Sequence, residues 1–277
     1  TKLLHLFPGE ISHFIALKGI KTLYSLGLLK HLLINDEKTS YENIQMKKLA
    51  KKLKFSNIKN RIGIAAGLDK NGDYIDCLAS LGVGFIEVGT VTPEAQRGNP
   101  KPRLFRNIQD KSLLNRLGFN NKGVDYLVER LKNKKTDIIV GSSIGKNFHT
   151  PNEEAYKDYL YCLDKIYHLS DYIAINISSP NTKSLRDLSS KENLDFLLEQ
   201  IKLRQNKLSA LHGYKPIYLK ISPDEDTREV EEICNVIMKN KLDGIICANT
   251  TINHENKSGP GGLSGAPLMS LATEKLL

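Results

Sequence analysis

The sequence has no tryptophan, three methionines and four cysteines, and no arginine occurs before residue 61. The cysteines, Cys77, Cys162, Cys234 and Cys247, lie far apart without a C-x-x-C pair. That spacing suggests neither a zinc site nor a disulfide framework, and a reducing compartment is the simpler reading. Charges interrupt every apolar run before the roughly 18 residues that a membrane-spanning helix needs. At 40% hydrophobic and 26% charged residues, the composition is that of a globular protein, neither disordered nor fibrous. With 277 residues, the chain is long enough for one large domain or two small ones. It begins with Thr1, so its start is expected to lie upstream.

What is present is unevenly distributed. The formal charge is +9, yet residues 1–60 hold eleven lysines against Glu10, Asp36, Glu37 and Glu42, and the remainder is nearly neutral. Within that basic segment, residues 9–34 read as helical. Ile11, Phe14 and Ile15 form one apolar patch, and Ile20, Leu23, Tyr24 and Leu28 continue it to Leu29, Leu32 and Leu33. Gly19 and Gly27 are expected to divide the segment into two short helices, because glycine weakens a helix interior. A lysine-rich polar stretch at 35–60 leads to the main domain.

From residue 61 short β-branched runs recur: Ile62–Ala66, Phe85–Val91, Ile138–Ile144, Tyr172–Ile177, Ile217–Ile221 and Gly244–Ala248. Helical periodicity separates several of them, at 122–132, 153–169, 192–211 and 226–240. Near-continuous apolar strands alternating with helices imply a parallel sheet covered on its faces. An open doubly wound sheet and a (β/α)8 TIM barrel both fit. The first strand–helix turn lacks G-x-G-x-x-G, which counts against a dinucleotide-binding sheet. Polar residues at nearly every strand end favour a barrel with its site at one mouth. A barrel needs eight strands and six are read here, so either the fold is unusual or about two βα units are absent from residues 1–277.

The chemistry-bearing segments stand at those strand ends. A-A-G-L-D-K-N-G occupies 65–72 and E-V-G-T-V-T-P occupies 87–93. P-R-L-F-R follows at 102–106, N-R-L-G-F-N-N at 115–121 and N-I-S-S-P-N-T at 176–182. A-N-T-T at 248–251 and a glycine-rich loop, G-P-G-G-L-S-G, at 259–265 complete the set. Gly67 permits close backbone approach to a ligand, and Lys70 is either a cation over the mouth or a solvated turn residue. Asn115, Asn176, Asn181 and Asn249 would converge there. A lone asparagine is usually a turn or cap residue, but four together are harder to dismiss, since each amide buried without a partner costs about 1–3 kcal/mol. An amide offers a donor beside an acceptor, matching the C=O, N–H, C=O edge of a pyrimidine-dione without adding charge. The base-like group near the mouth is a serine hydroxyl, Ser178 or Ser179, with no histidine beside it in sequence. So weak a base suffices only where the substrate carbon is acidic and an organic cofactor accepts the hydride.

Taken in order and spacing, these motifs make the chain resemble the dihydroorotate dehydrogenase family, specifically its membrane-associated, quinone-reducing class 2. The resemblance covers essentially all of 1–277. It implies oxidation of (S)-dihydroorotate to orotate in pyrimidine biosynthesis, with FMN as hydride acceptor and a membrane quinone as final acceptor. It matches Ser179 to the catalytic base, where class 1 enzymes place cysteine. It matches Lys70, Asn115, Arg116, Leu117, Gly118, Phe119, Asn176, Asn181, Asn249 and Thr250 to the substrate site. Flavin positions implied by the same resemblance are Ala66, Gly67, Leu68, Asp69, Lys70, Thr90, Ser143, Asn176, Lys220, Ala248 and Gly265, with Lys220 toward the pyrimidine end of the ring. Two of these depart from the family pattern: Ser143 replaces a common asparagine, and Ala248 a common threonine. The family's flavin-phosphate site lies on the seventh and eighth strands, so residues 1–277 alone are expected to hold FMN loosely.

The resemblance also implies two regions, a helical membrane and quinone-tunnel segment at 1–40 and an FMN-binding barrel at 41–277. His13 and Arg106 match tunnel positions. Apolar helices ringed by lysine suit a peripheral anchor on an anionic membrane surface, expected at the cytoplasmic face of a bacterial inner membrane. The bland alternative is a helical pair packed on the barrel. A nucleic-acid partner is not expected, because the region after residue 60 is nearly neutral. The competing reading from another class is a non-catalytic flavin-barrel relative that acts as a binding or scaffold protein.

Overall fold

The computed structural model describes residues 2–29, 40–55, 58–182, 185–255 and 259–269. Within them nine strands follow in chain order: β1 Gly63–Ile64, β2 Phe85–Val91, β3 Leu104–Asn107, β4 Ser112–Asn115, β5 Ile139–Ile144, β6 Tyr172–Asn176, β7 Ile217–Lys220, β8 Gly244–Ile246 and β9 Gly262–Gly265. The helices are α1 Gly9–Ser25, α2 Ser40–Lys52, α3 Ile75–Ala79, α4 Val124–Lys132, α5 Ala155–Ile166, α6 Lys191–His212 and α7 Thr227–Lys239.

Six strands form one parallel sheet in the order β1-β2-β5-β6-β7-β8. Each strand lies beside its predecessor in that sheet and the order never reverses. A doubly wound sheet must reverse at a switch point, so the progression is that of a partial (β/α)8 barrel, preceded by the N-terminal helix. β5 and β6 are buried at every residue, as expected of parallel strands covered on both faces. Helices α4 to α7 pack outside through stripes such as Val124, Leu127 and Leu131. α7 starts on a reciprocal cap, in which Asp226 accepts from the Glu229 amide at 2.8 Å and the Glu229 carboxylate accepts from the Asp226 amide at 2.7 Å.

Several expectations need correction. Helix α1 runs unbroken through Gly19, whose missing side chain faces open space, while Gly27 at φ +70° lies in the turn that follows. One glycine costs a helix only about 1 kcal/mol, and the packing of Leu17 and Ile20 on the barrel core offsets it. The expected second helix through Leu32 and Leu33 lies outside the described residues, as does the expected terminal helix toward Leu277. The first strand is Gly63–Ile64 rather than 62–66. Part of the polar stretch at 35–60 is helix α2, whose Met46, Leu49 and Ala50 lead to Phe55 at the base of the sheet. There Phe55 stacks on Tyr172 at 5.4 Å and meets Tyr218 edge-on at 6.4 Å. The glycine-rich segment read as a loop forms β9, which pairs antiparallel with β4 beside β3.

Candidate active site

The C-terminal strand ends carry a continuous polar network. Asn176, the last residue of β6, is buried, and its Nδ2 donates to Thr90 Oγ1 on β2 at 2.7 Å. Thr90 Oγ1 lies 2.9 Å from Ser143 Oγ on β5. On its other side, Asn176 Oδ1 accepts from the Ser178 amide and hydroxyl, both at 3.2 Å. Asn249 Nδ2, following β8, donates to Ser178 Oγ at 3.1 Å, and Asn249 Oδ1 accepts from the Thr250 amide at 2.8 Å. Tyr159 anchors the assembly by donating to the Asn176 carbonyl at 2.9 Å. The ends of β2, β5, β6 and β8 are therefore tied through side chains.

A second cluster joins the antiparallel sheet to the loop after β6. Asn181 Nδ2 donates to Asn115 Oδ1 at 3.0 Å, and Asn115 Nδ2 donates to the Gly262 carbonyl at 3.1 Å. Gly262 must be glycine, since a Cβ there would stand 2.0 Å from Thr250 Oγ1. Between the two clusters sits Ser179, buried, its Oγ accepting from the Asn181 amide at 3.4 Å. The two serines left open by their positions differ here. Ser178 spends its hydroxyl on Asn176 and Asn249, whereas Ser179 keeps its proton and a lone pair available. A cavity of about 510 Å³ opens beside Pro180, lined by Asn99, Arg116, Asn181, Ile252, His254 and Pro260. A cleft of about 600 Å³ beyond Asn99 is lined by Arg97, Lys101 and Lys122, and neither Ser178 nor Ser179 lines either space.

Two lysines bring positive charge. Burial pushes the Lys70 ammonium down to about 8, the charges of Arg103 and Lys220 push it the same way, and Glu10 opposes them. Lys220, the last residue of β7, pairs in register with Asn176 and is buried beside Glu87, Nζ to Oε1 3.6 Å. Around the first strand end, the Gly67 amide donates to the Gly89 carbonyl at 2.9 Å, next to Thr90. Gly67 has φ +111° and nothing within 4 Å of where a Cβ would stand, which leaves Ala66 and Gly67 open to a flat group.

Not every candidate converges. The Asp69 carboxylate turns away to accept from the Asp73 and Tyr74 amides at 2.9 and 2.7 Å, ahead of α3. Leu68 offers its carbonyl to His13 Nε2 at 2.8 Å. Ala248 contributes no polar side-chain atom, and Gly265 lies opposite Ser112, three residues along β9 from the Gly262–Asn115 pair. The Arg116 guanidinium lies 4.7 Å over the Phe105 ring. Gly118 and Phe119 both take positive φ, 68° and 51°, and with Leu117 form the tight turn that buries Phe119 against Gly145. Arg106 donates to the Leu4 and Phe7 carbonyls and to Ser12 Oγ. His13 and Arg106 thus both sit at the seam between α1 and the barrel, beneath exposed Phe7, Ile11, Phe14 and Ile15. No helix among the described residues is long and apolar enough to cross a membrane.

Sequence reasoning missed three features. Arg186 donates to the Ser178 carbonyl at 3.3 Å and the Thr250 carbonyl at 3.2 Å, and pairs with Asp224 at 2.8 Å. Asp224 also accepts from Thr251 Oγ1 and the Ile252 amide, so one ion pair ties the loops after β6, β7 and β8. Arg103, buried, pairs with Glu10 of α1 at 2.8 Å. Glu87 lay inside the E-V-G-T-V-T-P motif, where the apolar residues around it are the signal of its burial; no local pattern marked Arg186.

Known proteins resemble this chain over most of its length. A family model described as dihydroorotate dehydrogenase matches residues 48–277. A protein named dihydroorotate dehydrogenase (quinone) from Photobacterium profundum is 52% identical over 223 residues, covering 78% of this chain and 66% of the relative. One of the same name from Acinetobacter baylyi is 46% identical over 274 residues, covering 96% of this chain and 78% of the relative. The chain thus spans about two thirds to three quarters of the length of these relatives. Among solved structures, that of DHODH from Eimeria tenella in complex with ferulenol superposes with TM-score 0.81 at 31% identity, covering 97% of this chain and 76% of that one.

Proposed function

From the membership of this chain in the dihydroorotate dehydrogenase family, we propose that the protein oxidises (S)-dihydroorotate to orotate in pyrimidine biosynthesis. The observation that carries this reading is a buried serine with an uncommitted hydroxyl, Ser179, held between two asparagine clusters. Ser179 Oγ takes the C5 proton while its own hydroxyl proton passes to solvent, and the C5=C6 double bond forms as the C6 hydride departs. Asn115, Asn176, Asn181 and Asn249 meet the alternating carbonyl and N–H edge of the pyrimidine ring, and Lys70 neutralises the substrate carboxylate.

FMN, when bound, supplies the acceptor for the C6 hydride and the route for its electrons to a quinone. Two observations favour the fit of its ring: the open space over Gly67 and the orphaned buried oxygen Oε1 of Glu87 facing Lys220. Thr90, Ser143, Asn176 and Lys220 would hold its polar edge.

The quinone is taken to enter between α1 and the barrel, where His13 and Arg106 stand. The exposed apolar residues of α1, with Lys18 and Lys21, suit a peripheral position on an anionic membrane, at the cytoplasmic face of a bacterial inner membrane. The test is direct. Purified full-length protein should be yellow and bleach when dihydroorotate is added without a quinone, then recover its colour when one is supplied. A colourless protein, or a yellow one indifferent to dihydroorotate, would instead describe a non-catalytic binding protein.

A further inference from the structure

Glu87 lies in the core of a barrel whose neighbouring positions, Ile86 and Val88, are apolar and fully buried. Its side chain is 5% exposed and that of Lys220 is 9% exposed. Burying an ion pair gains a fold little, since apolar residues of the same volume serve as well or better. Stability therefore does not account for this pair.

Its surroundings are built to hold the carboxylate. Glu87 on β2 stands opposite Gly141 on β5, which stands opposite Tyr172 on β6. The Tyr172 ring leans across Gly141, where a Cβ would meet its Cζ at 2.0 Å, and its hydroxyl donates to Glu87 Oε2 at 3.1 Å. Burial and the carboxylate hold the Tyr172 phenol well above its ordinary range, so it remains a neutral donor. The second oxygen, Oε1, has no hydrogen-bond partner and faces Lys220 Nζ at 3.6 Å. Nζ makes no hydrogen bond among the described residues. At this separation the carboxylate balances the charge of the ammonium without consuming its protons, which stay free for a group at the level of Asn176. The other titratable groups facing this pair are Tyr218, whose ring lies 5.6 Å from that of Tyr172, and Lys70, on whose ammonium the charge of Lys220 acts.

We propose that Glu87 is a positioning and charge-balancing residue for Lys220, fixing its ammonium toward the cofactor and limiting how strongly that charge favours the reduced flavin. The inference rests on the reading that Lys220 faces the flavin ring. An uncompensated cation there would stabilise anionic reduced FMN over the oxidised form.

The test measures FMN midpoint potentials in the full-length flavoprotein by dye-equilibrated reductive titration. In E87Q, reduced FMN should gain about tenfold in binding relative to oxidised FMN, a potential about 30 mV more positive for a two-electron couple. K220M should shift it the opposite way. E87D, which keeps the charge, should restore the original potential. Should E87Q fail to retain FMN, E87M carries the same measurement with an uncharged side chain of similar volume. A shift in K220M with none in either neutral Glu87 variant overturns the proposal and leaves the flavin reading intact. An unchanged K220M potential overturns the placement of Lys220 itself, and with it both. A Glu87 variant that loses thermal stability while keeping its potential assigns the residue to packing only.

Discussion

Asn181 Nδ2 donates to Asn115 Oδ1 at 3.0 Å, so the loop that carries Ser179 is fastened to the antiparallel sheet rather than to the barrel strands alone. Asn115 in turn donates to the Gly262 carbonyl. Asn115→Ala strips one partner from each neighbour, at about 1–3 kcal/mol of stability. Because both neighbours also shape the mouth, KM for dihydroorotate should rise at least tenfold while the FMN dissociation constant holds. Steady-state kinetics beside a fluorescence titration of FMN would separate the two effects, and a loss confined to flavin binding would move Asn115 out of the substrate site.

Ser179 stands apart from Ser178 because its hydroxyl is uncommitted. Ser179→Ala should slow flavin reduction by dihydroorotate by about 10²–10⁴-fold, the usual worth of a positioned base, with orotate still bound. Ser178→Ala should instead loosen Asn249 and weaken orotate binding. Stopped-flow bleaching of the flavin distinguishes them, and near-normal reduction in the Ser179 variant would remove its assigned role.

What the sequence disclosed follows a physical pattern. Strands such as Ile139–Ile144 were legible because a parallel strand buried on both sides is written as an unbroken apolar run. The asparagines were legible as a set, because one alone reads as a turn or cap residue whereas four at strand ends and adjoining loops do not. Helix α2 was obscured by its lysines, since its core contacts reduce to Met46, Leu49 and Ala50. The strand Gly262–Gly265 was hidden by its glycines, which are needed for close approach to Thr250 and Lys111 rather than for a turn. Glu87 and Arg186 depend on partners 133 and 38 residues away, Lys220 and Asp224, which no local window contains.

Arg186 and Asp224 form the clamp across three loops. Burial works to raise the Asp224 carboxyl, but hydrogen bonds from Thr251, the Ile252 amide and Arg186 overcome it and hold the group below its ordinary range. Its stabilising effect is therefore complete above the ordinary aspartate range near pH 4 and is lost only as pH falls through the lowered value. Arg186→Ala should cost about 1.5–3 kcal/mol, as for hydrogen bonds to charged groups, and lower kcat by freeing the Ser178–Ser179 segment. Arg186→Lys should recover the ion pair but not both carbonyl bonds, so thermal melting should return further than kcat does. Equal recovery of the two would mean that the guanidinium fork is dispensable.

Ala248 and Ser143 bear on the cofactor. Ser143 already reaches Thr90 Oγ1 at 2.9 Å, whereas Ala248 has no side-chain donor. Ala248→Thr should tighten FMN by about 0.5–1.5 kcal/mol, one hydrogen bond's worth, or roughly two- to tenfold in dissociation constant. Flavin release followed by fluorescence reads this directly, and an unchanged constant would mean that the alanine costs the site nothing.

Lys70 sets the pH dependence of substrate binding. Burial, then Arg103 and Lys220, depress its ammonium to about 8, against the partial support of Glu10. The unfolded chain, with an ordinary lysine, binds more protons between that value and about 10.5, so this residue's contribution to stability rises with pH across that window. Binding moves the other way, because the carboxylate of orotate requires the charged amine. The orotate dissociation constant should be flat below about pH 7 and climb toward tenfold per pH unit above 8. Calorimetric titration near pH 8 should also show proton uptake, since the bound carboxylate draws the amine back to its charged form. In Lys70→Arg the guanidinium stays charged throughout, so the slope above pH 8 should vanish even if affinity falls. A wild-type profile that stays level beyond pH 9 would mean that Lys70 does not meet the ligand's carboxylate.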